Sequence, residues 1–102
     1  MKIQNNLKSK IEIEINNFNT EHDCKYEARY TSKYLYFDRD DGFEKLSPIC
    51  RLEFTGDIKN WEFAIYKYSN QSYDSEECLF PGEQYVNGTI SGAMKAGLRA
   101  YE

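Results

Sequence analysis

Histidine and tryptophan occur once each in this chain, proline and methionine twice, and cysteine three times among 102 residues. These scarcities narrow the chemistry. With His22 the sole imidazole, any Ser–His or Cys–His mechanism must use a residue set between Glu21 and Asp23 in a polar run, and no Gly-x-Ser-x-Gly elbow is present. Cys24, Cys50 and Cys78 are odd in number and widely spaced. Residues 1–6 lack the apolar stretch of a secretory leader, so these cysteines read as free thiols in a reducing cytoplasm. Written together with His22 they form a Cys3His set. Zinc sites use close pairs that fix two ligands at once, and only His22-x-Cys24 is close, so neither a metal nor a cofactor is expected. The six glycines form neither a Gly-x-Gly-x-x-Gly run nor a P-loop. No apolar run approaches the roughly 20 residues that cross a bilayer.

Basic charge is also short. Thirteen Lys and Arg face seventeen Asp and Glu, a net charge of −4. Residues 1–51 are balanced at nine of each sign, and residues 52–102 hold four bases against eight acids. Proteins that neutralise phosphates carry the opposite excess, which argues against general nucleic-acid binding. Aromatic residues, by contrast, are abundant at 16%, with nine tyrosines, a composition foreign to disordered chains. Residues 1–102 are expected to form a single domain with one core.

Apolar residues Ile3, Leu7, Ile11, Ile15 and Phe18 recur at helical spacing over residues 2–18. The run 11–15 also alternates like a strand. Length favours the helix and leaves Ile13 unexplained. Asn16, Asn17 and Asn19 read as breakers. From Cys24 the period becomes two. Strands are expected at 24–30, 34–37, 49–54 with Pro48 at the start, 61–68, and as a short edge strand within 73–80. The segment 38–42 reads as a polar loop. Thr89 is a candidate N-cap for a second helix over 90–101, striped by Ile90, Met94, Leu98 and Tyr101. Gly92 and Gly97 inside it each cost about 1 kcal/mol against alanine, which close approach to the sheet would offset. The pattern predicts an α+β fold: an antiparallel sheet of four to five strands with an N-terminal and a C-terminal helix on one face.

Asp38, Asp40, Asp41 and Glu44 crowd one segment and Asp74, Glu76 and Glu77 another. Gly42 falls at the fifth position counted from Asp38, so an EF-hand spacing fails. The tyrosines are the least ordinary feature. If Trp61, Phe63 and Ile65 point to the helices, Tyr66 and Tyr68 point away, joined by Tyr34 and Tyr36 or by Tyr26 and Tyr30. Arg29, Arg51 and Lys67 lie near in sequence. Such a surface suits a protein contact or base stacking.

The strings Arg51-Leu52-Glu53-Phe54, Trp61-Glu62-Phe63-Ala64-Ile65-Tyr66-Lys67-Tyr68-Ser69, Phe80-Pro81-Gly82 and Gly88-Thr89-Ile90-Ser91-Gly92-Ala93 resemble a family of small bacterial proteins over the second half of the chain. That family has no assigned activity, so the resemblance implies no catalytic residue. The expectation is a non-enzymatic, cytoplasmic binding module, monomeric or homodimeric. Its site would be Tyr34, Tyr36, Tyr66 and Tyr68 with Arg51 and Lys67, and its acidic loops would help engage a protein partner. The alternatives are a single-stranded nucleic-acid binder using the same aromatics, a small acidic inhibitor of a basic enzyme, and an enzyme built on loop carboxylates.

Overall fold

Period-two alternation from Tyr26 onward becomes a five-stranded antiparallel meander. In the computed structural model, which describes residues 2–40, 46–77 and 79–101, β1 (Tyr26–Tyr30), β2 (Tyr34–Asp40), β3 (Leu46–Asp57), β4 (Asn60–Lys67) and β5 (Ser72–Asp74) pair in chain order. Helix α1 (Asn5–His22) precedes the sheet and α2 (Ile90–Ala100) follows it, after a 3-10 turn at Glu83–Tyr85. Both helices cover the same face, and the fold is α+β. No described helix is long and apolar enough to cross a membrane.

One core explains the arrangement. Leu35, Phe37, Cys50, Leu52, Phe54, Trp61 and Ile65 line the covered face of the sheet, and Ile11, Ile15 and Phe18 of α1 and Ile90, Ala93 and Met94 of α2 close over them. Alternate positions of the same strands therefore face away from both helices. The Thr89 hydroxyl caps α2 by accepting the Gly92 N–H at 3.0 Å. The Tyr26 hydroxyl crosses from sheet to helix and donates to the Met94 carbonyl at 2.7 Å. Gly97 lies directly over this contact: a methyl group there would sit 2.5 Å from Ile49 Cγ2 and against the Tyr26 hydroxyl. Gly97 thus answers to the sheet. Gly92 answers instead to the loop before α2, where a methyl would press on the Asn87 side chain and sit 2.5 Å from the Tyr85 carbonyl.

Several boundaries differ from the sequence reading, each for a local reason. Helix α1 continues through Asn16, Asn17 and Asn19 to His22, and Asp23 ends it at φ 52°. The asparagines do not break it because Asn16 and Asn17 face water and Asn19 is bound to β1. Ile13 is 61% exposed, which resolves its conflict with the helical stripe. Strand β1 starts at Tyr26 rather than Cys24. Strand β2 takes in Asp38 and Asp40, while Asp41 and Glu44 lie outside the described residues. Pro48 is inside β3 rather than at its start. It stands beside a bulge in which Ile49 is the extra residue, with Phe37 opposite Cys50 and Asp38 opposite Pro48. The edge strand is short, Ser72–Asp74.

Candidate functional site

The helix-free face is organised by register. Arg29, Tyr36, Arg51 and Ala64 stand directly opposite one another across β1, β2, β3 and β4. The adjacent row contains Tyr34, Glu53 and Glu62, and Tyr66 pairs with Tyr73 of β5 at the far edge. These side chains close into a continuous layer. Tyr34 contacts Tyr36 at 5.9 Å between ring centroids, Tyr36 contacts Tyr73 at 5.3 Å, and Tyr73 contacts Tyr66 at 5.0 Å. Tyr66 contacts Tyr68 at 4.9 Å and Tyr68 contacts Tyr101 at 5.3 Å. The contacts from Tyr36 onward are edge-to-face, the geometry that places a positive ring edge on a negative ring face and adds about 0.5–1.5 kcal/mol per pair. Ala64 is 2% exposed although no helix covers it, so this layer is built over its own floor.

Two arginines lie in the layer in different states. Arg29 sits 4.8 Å over the Tyr36 ring and makes two hydrogen bonds to the Asp38 carboxylate, at 2.6 and 3.2 Å. That bidentate pair raises the guanidinium's already high pKa and satisfies a buried carboxylate. Arg51 sits between Tyr34, at 4.4 Å, and Tyr73, at 5.4 Å. Among the described residues Arg51 makes no ion pair. Burial pushes the Tyr73 phenol up from its ordinary value, with the nearby Arg29 charge acting in the opposite direction.

Tyr34, Tyr36, Tyr66, Tyr68 and Arg51 therefore come together on one surface. Tyr68 lies just past the end of β4, 49% exposed, with its hydroxyl donating to the Pro48 carbonyl at 2.9 Å. Lys67 does not join them. It alternates with Tyr66, lies on the helix side of the sheet edge, and pairs with Glu77 at 3.0 Å and Asp74 at 3.8 Å. Tyr26 and Tyr30 also lie on the helix side: Tyr26 is buried beneath α2 and Tyr30 bonds to Glu12 of α1.

Sequence reasoning missed Tyr73 and Asp38. Tyr73 faces with Tyr66 only once the β4–β5 register is fixed, and a three-residue strand carries too little alternation to show its face. Asp38 reads as a loop residue in the sequence because three acids in four residues resemble a loop. The remaining polar groups offer little chemistry. Cys24 and Cys50 are free, and burial raises both thiols above their ordinary range, which disfavours the nucleophilic thiolate. Among the described residues no group of three or more His, Cys, Asp or Glu side chains converges to hold a metal ion. Comparison of the chain with protein-family models, with curated proteins and with solved structures found no match.

Proposed function

We propose that this chain is a non-enzymatic binding module that engages a protein partner through the helix-free face of its sheet. The observation that carries the reading is the unbroken contact path Tyr34–Tyr36–Tyr73–Tyr66–Tyr68 with Arg51 set into it. Tyrosine and arginine are the residues enriched in interface cores and among their energetic hot spots. Their rings are already braced against one another, so little side-chain freedom is left to lose on association.

Charge favours a protein over a nucleic acid. The whole chain carries −4, Arg29 is neutralised by Asp38, and Glu53 and Glu62 stand opposite each other on the same face. Lys67, which a phosphate-binding surface would use, is committed elsewhere. The tyrosines, with Arg51 stacked between two of them, suit single-stranded nucleic acid as well.

The test is retention of source-cell macromolecules by the immobilised chain, against a Tyr36→Ala/Tyr66→Ala double variant whose fold is checked by circular dichroism. A retained protein lost with the variant supports the reading. Equal recovery by both forms removes this surface. Retained nucleic acid whose binding falls steeply with salt assigns the face to the second reading.

A further inference from the structure

We infer that the protein covering this face is a second copy of the chain, the two sheets stacking helix-free face to helix-free face. The inference rests on the reading of the face as a protein-binding surface and names the occupant. Its basis is that the face carries both halves of its own charge complement. Arg51 presents a guanidinium with no ion pair among the described residues. One row away, Glu53 and Glu62 face each other in register, with only Lys33 reaching Glu53, at 3.6 Å, across an exposed gap. The surface thus holds a positive charge without an ion pair, Arg51, and one row away two carboxylates, Glu53 shared with Lys33 and Glu62 without an ion pair among the described residues.

A two-fold axis lying along the rows and passing over Leu52 exchanges those rows. It sets Arg51 of one copy over Glu53 of the other and the reverse, Tyr36 over Tyr34, and Glu62 over the small Ala64 with Arg51 beside it. Such an isologous contact closes on itself, as most homo-oligomers do. Face-to-face sheets pack about 10 Å apart with inner side chains filling the gap, a separation that opposed aromatic layers span. An acidic partner, by contrast, would meet Glu53 and Glu62, and a basic one would meet Arg51.

Sedimentation equilibrium of the full chain, from micromolar to near-millimolar concentration, reads the outcome. The expected result is a monomer–dimer equilibrium that Arg51→Glu weakens by at least about tenfold, through like charges set opposite one another. Glu53→Arg/Glu62→Arg weakens it similarly, and mixing the two charge-reversed forms restores association as a heterodimer. Should Arg51→Glu lose its circular-dichroism spectrum, the single Glu62→Arg change at an exposed position serves in its place. A chain monomeric throughout, or a dimer indifferent to both reversals, overturns the inference. If a monomeric chain still retains a different protein through Tyr36 and Tyr66, the binding reading stands and only the identity of the occupant fails. If neither association nor retention depends on these residues, both fail.

Discussion

The side-chain amide of Asn19 occupies the outer edge of β1 at Tyr26: its Oδ1 accepts the Tyr26 N–H at 2.9 Å and its Nδ2 donates to the Tyr26 carbonyl at 3.0 Å. A residue of a helix thereby fills the hydrogen-bonding place that a sixth strand would take. Exposed strand edges recruit other chains, and capping one with a side-chain amide blunts it. The Asn19 backbone contributes too, its carbonyl accepting from the Cys24 N–H at 3.1 Å and so fixing the turn from α1 into the sheet.

Replacing Asn19 by alanine removes both amide bonds at once. The expected loss of stability is about 1–3 kcal/mol, the range for leaving backbone groups without partners. Asn19→Asp, which keeps the acceptor and loses the donor, should fall between. Urea unfolding measures the loss, and faster hydrogen exchange at the Tyr26 amide locates it.

Gly97→Ala is expected to destabilise the chain even though alanine is the better helix former by about 1 kcal/mol. The added methyl meets Ile49 at 2.5 Å and the Tyr26 hydroxyl, which is held in place by Met94. Overpacking of this kind costs about 1–3 kcal/mol. A denaturant midpoint equal to or above that of the parent would show that α2 moves away from the sheet at little cost.

Alkaline pH should unfold the protein. Burial raises the phenols of Tyr26, Tyr30, Tyr68, Tyr73 and Tyr101 above their ordinary value. A raised acid favours its neutral form in the folded state. Its contribution is complete below the unfolded phenol value of about 10 and disappears as pH rises through the folded values. Tyrosinate absorbance and far-ultraviolet dichroism should therefore change together above about pH 10. Tyr26→Phe should flatten this alkaline loss and, at neutral pH, cost about 1 kcal/mol for the bond to Met94. Phenol ionisation at ordinary values without unfolding would contradict the buried placement.

Arg51→Ala and Lys67→Ala separate the two sides of the sheet. Arg51 lies between Tyr34 and Tyr73 on the helix-free face, whereas Lys67 is paired with Glu77 on the other. Partner affinity should fall by about 2 kcal/mol with Arg51→Ala, the size of an interface hot spot, and stay unchanged with Lys67→Ala. Isothermal titration with the retained partner gives both values, and a larger effect at Lys67 would move the site to the opposite side.

The sequence made the long elements legible because long elements repeat their period. Four of the five stripe positions, Leu7, Ile11, Ile15 and Phe18, lie in α1, with Ile3 buried just before it, and Trp61-Glu62-Phe63-Ala64-Ile65-Tyr66 announced both sides of β4, with indole inward and the Tyr66 phenol outward. What stayed hidden were relations between segments. Asn19 reads as a helix breaker until its partner at Tyr26 is known, seven residues on. Lys67 is adjacent in sequence to two site tyrosines, yet alternation sends it to the other side. Tyr34 and Tyr36, the pair the sequence favours, lie on the helix-free face, and Tyr26 and Tyr30 lie on the other. Arg51 and Tyr73 meet across strands that are not neighbours, a juxtaposition that no local pattern encodes.

The surplus residue at Ile49 has a bearing on how this surface is bounded. Because Ile49 and Cys50 are both buried in succession, β3 changes phase there, and residues before it are a half-step out of alignment with those after. Arg51 and Glu53 stand in regular register with Tyr36 and Tyr34, and Pro48 resumes the ladder opposite Asp38. The tyrosines of β2 stop before the bulge, and beyond it the aromatic pavement runs on through Tyr66 and Tyr68, the latter bonded to the Pro48 carbonyl. Deleting Ile49 would remove the bulge without changing the side on which residues 46–48 lie, since they keep their partners Asp40, Arg39 and Asp38, and so would show whether the local bend alone holds the Pro48 carbonyl within reach of Tyr68.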